Sequence, residues 1–499
     1  MKRPNYPQGP TVTPQQFGAK GDGKTDDIHA LRRAREYASL HNLPLELPEA
    51  DYYTSSSWQL DNVTIISHNA RISYHGLEFN RPAVEMFDYV NIFGDFNVWA
   101  IDYAPEMTHG NRCGIAFGDY DSGRGAHHCY LENPVLWGSG MPGGNGMLIT
   151  GDSSDLLFDK MTVPEGHTHV NVPVMMHWGG YSQHHPADLA HPNTAYVHDE
   201  GYTRTKHPHD ITIGLIDSHS AHSALYISAC YDITVGEVRQ YGGVSAVRVV
   251  TGDCGYKYAT VEEKAHGTRN IRIGKVYGTG LSELGMYFNG IDSYEKDTLT
   301  EIAAQVGEAV LEGKGEGSGN GICFYGTKSV EIGKLSLKGF AKSTFQLGHQ
   351  NRFIKIGEAT VEDCPANVIT SYSSLEKKPR SGETYSCEMS QNIRIEKLNV
   401  KNSGNETVPF ATFPYIDGFR VDELTVTDSR FANFLRAYQN TKNVAFDRVE
   451  LKNTTVINSL VHAANAVTAE NNIALTVSGA DGVALTAGEA CEVSITPIS

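Results

Sequence analysis

Apolar and polar residues alternate in a short motif that recurs nine times along the chain, each time after a leading residue that is usually polar. Alternation with a period of two is typical of a β-strand with one buried face. A second apolar run usually follows about a dozen residues later, so roughly 22 to 30 residues hold several short strands. Clear copies begin at Asp210, Asp232, Asn270, Ser329, Phe353 and Asn392, and weaker copies at Gly418, Asn443 and Asn472.

The repeating unit is too small to bury its apolar side alone, so neighbouring units must stack on one another. The pattern therefore predicts an all-β, single-stranded parallel β-helix. Because a solenoid grows by adding rungs, we expect one coil over residues 56–467 of the 499-residue chain rather than several domains. The tail, residues 468–499, alternates small residues and is expected to form a last rung or a small β cap.

Four long inserts interrupt the coil, and each follows an apolar run and precedes the next motif. Inserts at one recurrent corner would form a ridge on a single flank, where solenoids place their binding face. Part of one insert, residues 297–312, has apolar residues at helical spacing and predicts a helix. The inserts span residues 178–208, 252–268, 291–319 and 374–390.

Residues 1–55 have a different pattern and are expected to cap the first rung. A loop with several glycines ends in residues 25–27, a threonine and two aspartates, which can accept the first N–H groups of a helix. Apolar side chains then lie on one helical face, and Asn42 and Pro44 end the helix before a short strand at 45–47. The apolar face consists of Ile28, Leu31, Ala34 and Ala38.

The segment Phe17–Asp27, which reads FGAKGDGKTDD, resembles the opening motif of the pectate-lyase-like superfamily of right-handed β-helices. That superfamily includes polysaccharide lyases, polygalacturonases, mannuronan epimerases and phage tailspike depolymerases, and the stretch Thr11–Gly18 is most similar to phage-type members. The resemblance implies a right-handed coil with a capping helix, a carbohydrate substrate, and an extracellular or virion-associated location. The sequence lacks the paired aspartates of polygalacturonases and the Asp-Pro-His of mannuronan epimerases, so the resemblance assigns no catalytic residue.

The net charge of −17 argues against nucleic acid as a partner, because phosphate binding needs a basic surface. No apolar run approaches membrane-spanning length, so no membrane partner is expected. The first residues lack the apolar core of a signal peptide, which implies another export route or a trimmed signal. The eight cysteines form no CxxC pair, and Cys230 and Cys323 lie in or beside apolar runs, which predicts reduced core thiols.

Two copies of the motif align without gaps at a spacing of 22 residues, which pairs Ile211 with Ile233. With the apolar residues inward, Tyr226 and Arg248 point outward on neighbouring rungs, about 5 Å apart. The preceding apolar run turns His177 outward in the same way. An imidazole, a phenol and a guanidinium are therefore predicted together on one wall, with an ordinary polar surface strip as the alternative.

The insert nearest this wall is rich in histidine, and eleven of the 21 histidines lie in the segment from His167 to His222. Histidine can act as general acid, general base or metal ligand near neutral pH. No spacing is diagnostic of a metal site, so no metal or cofactor is assigned, and His184 and His207 are candidate catalytic residues. Candidate substrate contacts from the inserts are Tyr181, Tyr202, Arg204, Tyr256 and Lys257.

These groups favour cleavage of a uronic-acid polysaccharide by β-elimination, which needs a cation, a base and an acid. Arg248 would neutralise the carboxylate, while His177 or another histidine would serve as base and Tyr226 as acid.

Two other functions are compatible with the same sequence. Glycoside hydrolysis needs two carboxyl groups about 5 to 10 Å apart. Asp152 and Asp253 are candidates for that pair, although Gly-Asp pairs are also common in turns. The other alternative is a non-catalytic, glycan-binding tailspike or adhesin. In each case the expected partner is an acidic polysaccharide, and oligomerisation stays open.

Overall fold

The computed structural model divides the chain into two compact units. The first comprises residues 1–243 and 252–272, and the second comprises residues 244–251 and 273–499. The structure describes residues 1–75, 81–102, 113–119, 123–138, 144–167, 170–177, 207–250, 268–290, 303–372, 375–377, 384–386, 388–464, 469–478 and 492–495.

The first unit holds the helix α1 (Ile28–His41), a 3-10 turn at Pro14–Phe17, and a long series of strands. These strands are β1 (Asp22–Asp26), β2 (Leu45–Leu47), β3 (Asp51–Thr54), β4 (Trp58–Leu60), β5 (Val63–Ser67), β6 (Ala70–His75), β7 (Val84–Met86), β8 (Val90–Asp102), β9 (Cys113–Phe117), β10 (His127–Trp137), β11 (Asn145–Ile149), β12 (Ser154–Val163), β13 (Val174–His177), β14 (His209–Ser218), β15 (Ser223–Ser228) and β16 (Tyr231–Tyr241).

The second unit is also built from strands, with a 3-10 turn at Ala469–Asn471. Its strands are β17 (Ser245–Val250), β18 (Arg269–Leu281, which begins in the first unit), β19 (Leu284–Asn289), β20 (Ala304–Gly315), β21 (Asn320–Tyr325), β22 (Lys328–Phe340), β23 (Phe345–Leu347), β24 (Arg352–Glu362), β25 (Ile369–Ser371), β26 (Leu375–Lys377), β27 (Thr384–Ser386), β28 (Ser390–Lys401), β29 (Ala411–Thr427), β30 (Arg430–Lys452), β31 (Thr455–Ala464), β32 (Ile473–Ser478) and β33 (Glu492–Ile495).

Strands of the first unit pair in parallel with strands of the next rung, in two long series and a short third one that joins β2, β5 and the start of β8. One long series, which we call the ladder sheet, runs through β1, β3, β6, β8, β10, β12, β14 and β16. The other long series, the short-strand sheet, runs through β4, β7, β9, β11, β13 and β15. The unit is therefore a right-handed parallel β-helix, as the sequence and its resemblance predicted.

The second unit repeats this architecture. Its ladder sheet runs through β20, β22, β24, β28, β29, β30, β32 and β33. Its short-strand sheet runs through β17, β19, β21, β23 and β25 and continues into the first parts of β29 and β30 and into β31. The antiparallel pair β26 and β27 lies within the insert predicted at 374–390. The inserts at 178–206 and 252–267 lie outside the described residues.

Apolar residues of successive rungs stack in register and form the core of each unit. In the first unit, Ile211 pairs with Ile233, which confirms the predicted 22-residue register, and both are at most 1% exposed. In the second unit, six residues from successive rungs form one stack, and each is at most 2% exposed. The members of that stack are Val330, Ile354, Ile393, Phe419, Val444 and Ile473.

The residue that leads each motif occupies a left-handed corner. Its φ angle is positive in every copy, for example +52° at Asp210 and +56° at Asn392. Asparagine, aspartate and glycine tolerate this region best, which explains why polar residues recur there. Side chains at these corners also bond between rungs, since Asn443 donates to Asp417 Oδ1 at 2.6 Å and Asn472 donates to Asn443 Oδ1 at 3.0 Å.

Replacing Phe353 by asparagine is expected to stabilise the second unit. Phe353 has φ +57° and its side chain is 52% exposed, so it carries left-handed strain without burying its ring. Asparagine relieves that strain, which should raise the free energy of unfolding by about 1 kcal/mol in chemical denaturation. A Phe353→Leu variant is the control, because leucine keeps the strain. Equal stability of the asparagine and leucine variants would contradict the prediction.

Several glycines of the ladder strands lie close to the backbone of the preceding rung. A Cβ added to Gly236 would lie 2.5 Å from the carbonyl oxygen of Gly214. A Cβ on Gly333 would lie 2.6 Å from the oxygen of Gly307, and one on Gly357 would lie 2.7 Å from that of Gly333. With the backbone as it stands, these contacts leave no room for a side chain, although Asp159 and Glu396, which are in register with Gly214 and Gly357, show that other rungs accommodate one. We call these five glycines the glycine column.

The N-terminal segment contains the predicted capping helix. The four apolar residues predicted on one face of α1 are each at most 1% exposed, and Asn42 ends the helix with φ +52°. Asp26 Oδ1 accepts the N–H of Ile28 at 3.2 Å. The Asp27 carboxylate instead binds the N–H groups of Lys20 and Gly21, at 2.7 and 2.8 Å, and so holds the preceding glycine loop.

The helix predicted at 297–312 is wrong over its described part. Residues 304–312 belong to β20, which pairs in parallel with β22. The buried residues Ala304 and Val306 follow a period of two, and after Gly307 the buried pair Ala309 and Leu311 repeats it. The spacing between the two buried pairs is three residues instead of two, because an extra residue follows Gly307. In the sequence this spacing resembles that of a helix, but the other ladder strands contain the same extra residue.

The described cysteines Cys230 and Cys323 are buried and unpaired, which confirms the predicted reduced thiols, although Cys323 lies on the outward side of its strand rather than in the core. Burial raises the pKa of the Cys323 thiol to about 12. Among the described residues, no helix has the length and apolar character needed to cross a membrane. In the tail, β32 pairs in parallel with β30 and β33 with β32, so the described part continues the coil.

Candidate functional site

Outward side chains of the second unit's short-strand sheet form a polar column, which we call the outer column. In β17, Arg248 lies between Val247 and Val249, which are both 0% exposed, so its side chain points away from the core. The strand register then aligns one residue from each successive rung, at a spacing of about 4.8 Å. The outer column consists of Arg248, Tyr287, Cys323, Gln346 and Thr370, and the register continues through Thr412, Arg436 and His462.

The guanidinium of Arg248 is held at one end of the outer column. Its Nε donates to Ser245 Oγ at 2.9 Å, and its central carbon lies 5.8 Å from the centre of the Tyr287 ring. Its Nη2 lies 3.8 Å from Glu283 Oε2, but the Glu283 side chain is 66% exposed. Water reaches the Glu283 end of this ion pair, so the pair contributes little to stability, and 17% of the Arg248 side chain is exposed.

The phenol of Tyr287 is a proton donor at neutral pH. Burial raises its pKa to about 12, and the neighbouring Cys323 adds to the increase, whereas Asn289 and Arg248 oppose it. Asn289 Nδ2 donates to the phenol oxygen at 2.9 Å, so the hydroxyl hydrogen is directed elsewhere. A protonated phenol beside a fixed cation is suited to general acid catalysis.

An amide and three further rings extend this network along the rungs. Gln346 Oε1 accepts from Asn320 Nδ2 at 2.6 Å and from Cys323 Sγ at 3.1 Å, while its Nε2 donates to the hydroxyl of Tyr372. The Tyr325 ring lies 5.8 Å from that of Tyr287 and 5.2 Å from that of Tyr372, and burial raises its pKa. The buried His349 ring lies 5.9 Å from the Tyr372 ring. The outer column is therefore backed by a preorganised set of aromatic and amide groups.

The raised pKa of Tyr287 predicts a loss of stability in alkali. A phenol with pKa near 12 in the folded state and about 10 in the unfolded state favours folding below pH 10, and this contribution is lost between pH 10 and 12. Tyr287→Phe should therefore reduce the decline of unfolding free energy in that window by about 1 kcal/mol per pH unit. Urea denaturation at several pH values measures how the free energy of unfolding changes with pH. Tyr277→Phe, at a position 40% exposed, is the control, and identical pH slopes in the two variants would refute the assignment.

The five residues of the outer column include no carboxyl group, and the carboxylate of Glu283 lies beside Arg248 at its end. Within the described ranges, no group of three or more histidine, cysteine, aspartate or glutamate residues is arranged to hold a metal ion. The chemistry that this surface offers is therefore that of a cation, neutral phenols and amides.

The first unit places two of the predicted catalytic residues at different levels of its short-strand sheet. Tyr226 pairs with Met175, whereas His177 pairs with Ser228. Alternation with Val174 and Met176 places His177 on the outward side as predicted, but His177 is only 4% exposed, so other parts of the chain cover it. Strand alternation fixes the side on which a residue lies but not what packs over it.

Other predicted residues of the first unit lie at turns. His207 is 8% exposed, and its Nδ1 lies 2.8 Å from the carbonyl oxygen of Ala229. Asp152 Oδ1 accepts the N–H of Gly125 at 2.7 Å, which is the turn role considered for this Gly-Asp pair. The remaining candidates lie outside the described residues: Tyr181, His184, Tyr202, Arg204, Asp253, Tyr256 and Lys257.

The sequence carried a signal for the residues that were missed. Tyr287, Cys323 and Gln346 each lie between two buried apolar residues, as Arg248 does. Extending the alignment of the second apolar runs beyond residue 250 would have placed them in register with Arg248. Of the sequence-predicted residues, Arg248 alone belongs to the outer column.

No family model matches the chain, and no curated protein matches it. Several solved structures are similar at low identity. The surface adhesin PfbA of Streptococcus pneumoniae is 13% identical, with 95% of this chain and 93% of that chain covered and a TM-score of 0.42. The N-terminal fragment of bacteriophage phi29 gene product 12 is 13% identical, with 97% and 93% covered and a TM-score of 0.43.

A third similar structure is the catalytic unit of a GH87 α-1,3-glucanase from Streptomyces thermodiastaticus. It is 10% identical, with 98% of this chain and 70% of that chain covered and a TM-score of 0.42. Fold does not determine reaction at such distances, so the function of this chain has to be argued from its own side chains.

Proposed function

We propose that the chain is a polysaccharide-degrading enzyme whose substrate lies along the outer column and is cleaved by β-elimination at a uronic acid. The observation that supports this most is the register of Arg248 and Tyr287 on neighbouring rungs, with Gln346 two rungs beyond Tyr287 and the buried Cys323 between them. Neighbouring rungs are about 4.8 Å apart. This spacing is comparable to the length of one sugar unit in an extended glycan, so successive sugars would contact side chains of successive rungs.

The two groups at the start of the outer column fit two of the three roles that elimination needs. Arg248 would neutralise the uronate carboxylate and stabilise the negative charge that develops when a base removes the neighbouring proton. The described group placed to accept that proton is the carboxylate of Glu283, whose Oε2 lies 3.8 Å from Arg248 Nη2. Tyr287, whose phenol is protonated at neutral pH as any tyrosine is, would donate its hydroxyl proton to the leaving glycosidic oxygen because it lies beside Arg248. Their proximity, 5.8 Å from guanidinium to ring centre, would let both act on one sugar.

Elimination is favoured over hydrolysis by the composition of this surface. Hydrolysis requires a pair of carboxyl groups about 5 to 10 Å apart on either side of the scissile bond. The outer column has no such pair, and the cationic residues Arg248 and Arg436 along its register favour an acidic glycan over a neutral one. An acidic polysaccharide partner and an extracellular or virion-associated location are part of the same proposal.

Digestion of a panel of acidic and neutral polysaccharides tests the proposal. The products are followed by ultraviolet absorbance, which detects the double bond formed in elimination, and by mass spectrometry. We expect unsaturated products from at least one uronate polymer. New reducing ends without absorbance would show a hydrolase, and retention of glycan without any cleavage would show a binding protein.

A further inference from the structure

Two tryptophans of the first unit lie in register on a face that the proposed function does not use. The ladder sheet aligns Tyr53, Ser73, Trp99 and Trp137 on β3, β6, β8 and β10, and we call these four residues the tryptophan column. Val98 is 1% and Leu136 is 1% exposed, so both indoles point away from the core. Both rings are only half-buried, which leaves part of their surface accessible.

Hydrogen bonds within the protein fix the orientation of both indoles. Trp99 Nε1 donates to the carbonyl oxygen of Gly138 at 2.9 Å, and Trp137 Nε1 donates to Asn97 Oδ1 at 2.9 Å. Asn97 is 5% exposed and is itself held by Asn69 at 3.0 Å. The polar edges of the indoles are thus satisfied. The Arg71 guanidinium lies over one face of the Trp99 ring, so the carbon surface that no neighbouring side chain covers is what the indoles can offer to a ligand.

Polar groups surround these rings without adding net charge. The Arg71 guanidinium lies 4.9 Å from the centre of the Trp99 ring and forms an ion pair with Asp51, which also accepts from Ser73. Two imidazoles flank the tryptophan column: His75 lies 4.9 Å from the Tyr53 ring, and His167 lies 4.6 Å from the Trp137 ring.

We propose that the tryptophan column is a second carbohydrate-binding site, which takes uncharged pyranose units of a glycan by stacking. Rigid aromatic faces with a few polar groups around them are suited to sugars, whose carbon-bound hydrogens cover one face while hydroxyls project from the edge. The paired charges of Asp51 and Arg71 favour a neutral ligand, in contrast to the cationic outer column. Two rings one rung apart would contact adjacent sugars.

Titration with neutral hexasaccharides tests this site independently of any catalysis. The probes are cellohexaose, maltohexaose and mannohexaose, with hexagalacturonate for comparison, and binding is followed by calorimetry and tryptophan fluorescence. We expect at least one neutral probe to bind and quench fluorescence, and a Trp99→Ala/Trp137→Ala variant to lose about tenfold in affinity. Cleavage of short acidic substrates should be unchanged in that variant, so failure of the outer column and failure of this site are distinguishable.

Matched variants separate stacking from general effects. Tyr277→Ala, at an exposed aromatic of the second unit, should bind neutral probes like the original chain. Trp99→Phe should lose less affinity than Trp99→Ala, because a smaller ring still stacks. If the alanine variants do not fold, protection of Trp99 and Trp137 in the unaltered chain from N-bromosuccinimide by bound hexasaccharide gives the same information through peptide mass.

Three results would overturn the proposal. Unchanged affinity in a folded double variant would exclude the tryptophan column as the binding site. Failure of every neutral probe to quench fluorescence or to protect the two indoles would exclude a sugar ligand. Conversion of an oligomer to a monomer by the double variant, without any change in glycan binding, would assign the surface to contact between copies of the chain.

Discussion

Replacing Arg248 by glutamine is expected to lower kcat/KM for the acidic polysaccharide by about two to three orders of magnitude. The guanidinium is the cation of the outer column nearest to the proton donor Tyr287, and glutamine retains a polar side chain without the charge. The loss should fall mainly on kcat, because the negative charge on the uronate grows as its neighbouring proton leaves. Initial rates from the ultraviolet assay, measured over a range of substrate concentrations, separate kcat from KM.

Arg352→Gln is the matched control for this prediction. Arg352 also lies in the second unit, but it begins a ladder strand and pairs with Glu388 at the surface. We expect its kinetics to equal those of the original chain. If Arg248→Gln retains full activity, the outer column does not hold the reaction, and if only KM rises, Arg248 binds substrate without stabilising the transition state.

Replacing Asn351 by alanine is expected to cost about 3 kcal/mol or more of unfolding free energy. Asn351 is 0% exposed, and its Nδ2 lies within 3.1 Å of Phe324 O, Gly348 O and Ser390 Oγ. Its Oδ1 accepts from Thr327 N at 3.1 Å and from Thr327 Oγ1 at 3.0 Å. Alanine would leave several of these buried groups without a partner, and each such group costs about 1 to 3 kcal/mol.

Asn351 also supports the backbone of strands that carry residues of the outer column and its neighbouring rings. The backbone groups that Asn351 holds belong to the ends of β21 and β23 and the turns that follow them, and these strands carry Tyr325 and Gln346. Asn405→Ala is the control, because Asn405 is exposed and its side chain bonds to the surface loop groups Pro365 O and Thr407. Urea denaturation measures both variants. A cost below about 1 kcal/mol for Asn351→Ala would mean that water replaces the amide in this turn.

Most of the fold follows from local rules that can be applied to the sequence. The alternation of Ile211 and Ile213 with polar residues fixes strand and core, and the positive φ of residues such as Asp210 explains the polar position before them. The capping helix follows from its apolar face and from Asn42. The segment 304–312 was misassigned because a glycine step shifts the phase of alternation, so that its apolar spacing resembles a helix.

The candidate site was harder to predict from the sequence because it depends on contacts between residues that are far apart in the chain. Arg248 could be turned outward from its own strand, but its partner Tyr287 follows a long insert that interrupts the repeat. The burial of His177 depends on what packs against it, and the alternation of one strand does not contain that information.

Residues 373–374 and 378–383, at and within the last predicted insert, lie outside the described residues.

The glycine column has a consequence for how such a chain can vary in nature. Each of its α-carbons lies close to the carbonyl oxygen of the preceding turn, so a side chain at one of these positions would require the local backbone to shift. Loss or duplication of a complete turn, by contrast, restores the same contact with the next neighbour. Natural variants are therefore expected to differ in the number of turns more readily than at these glycines.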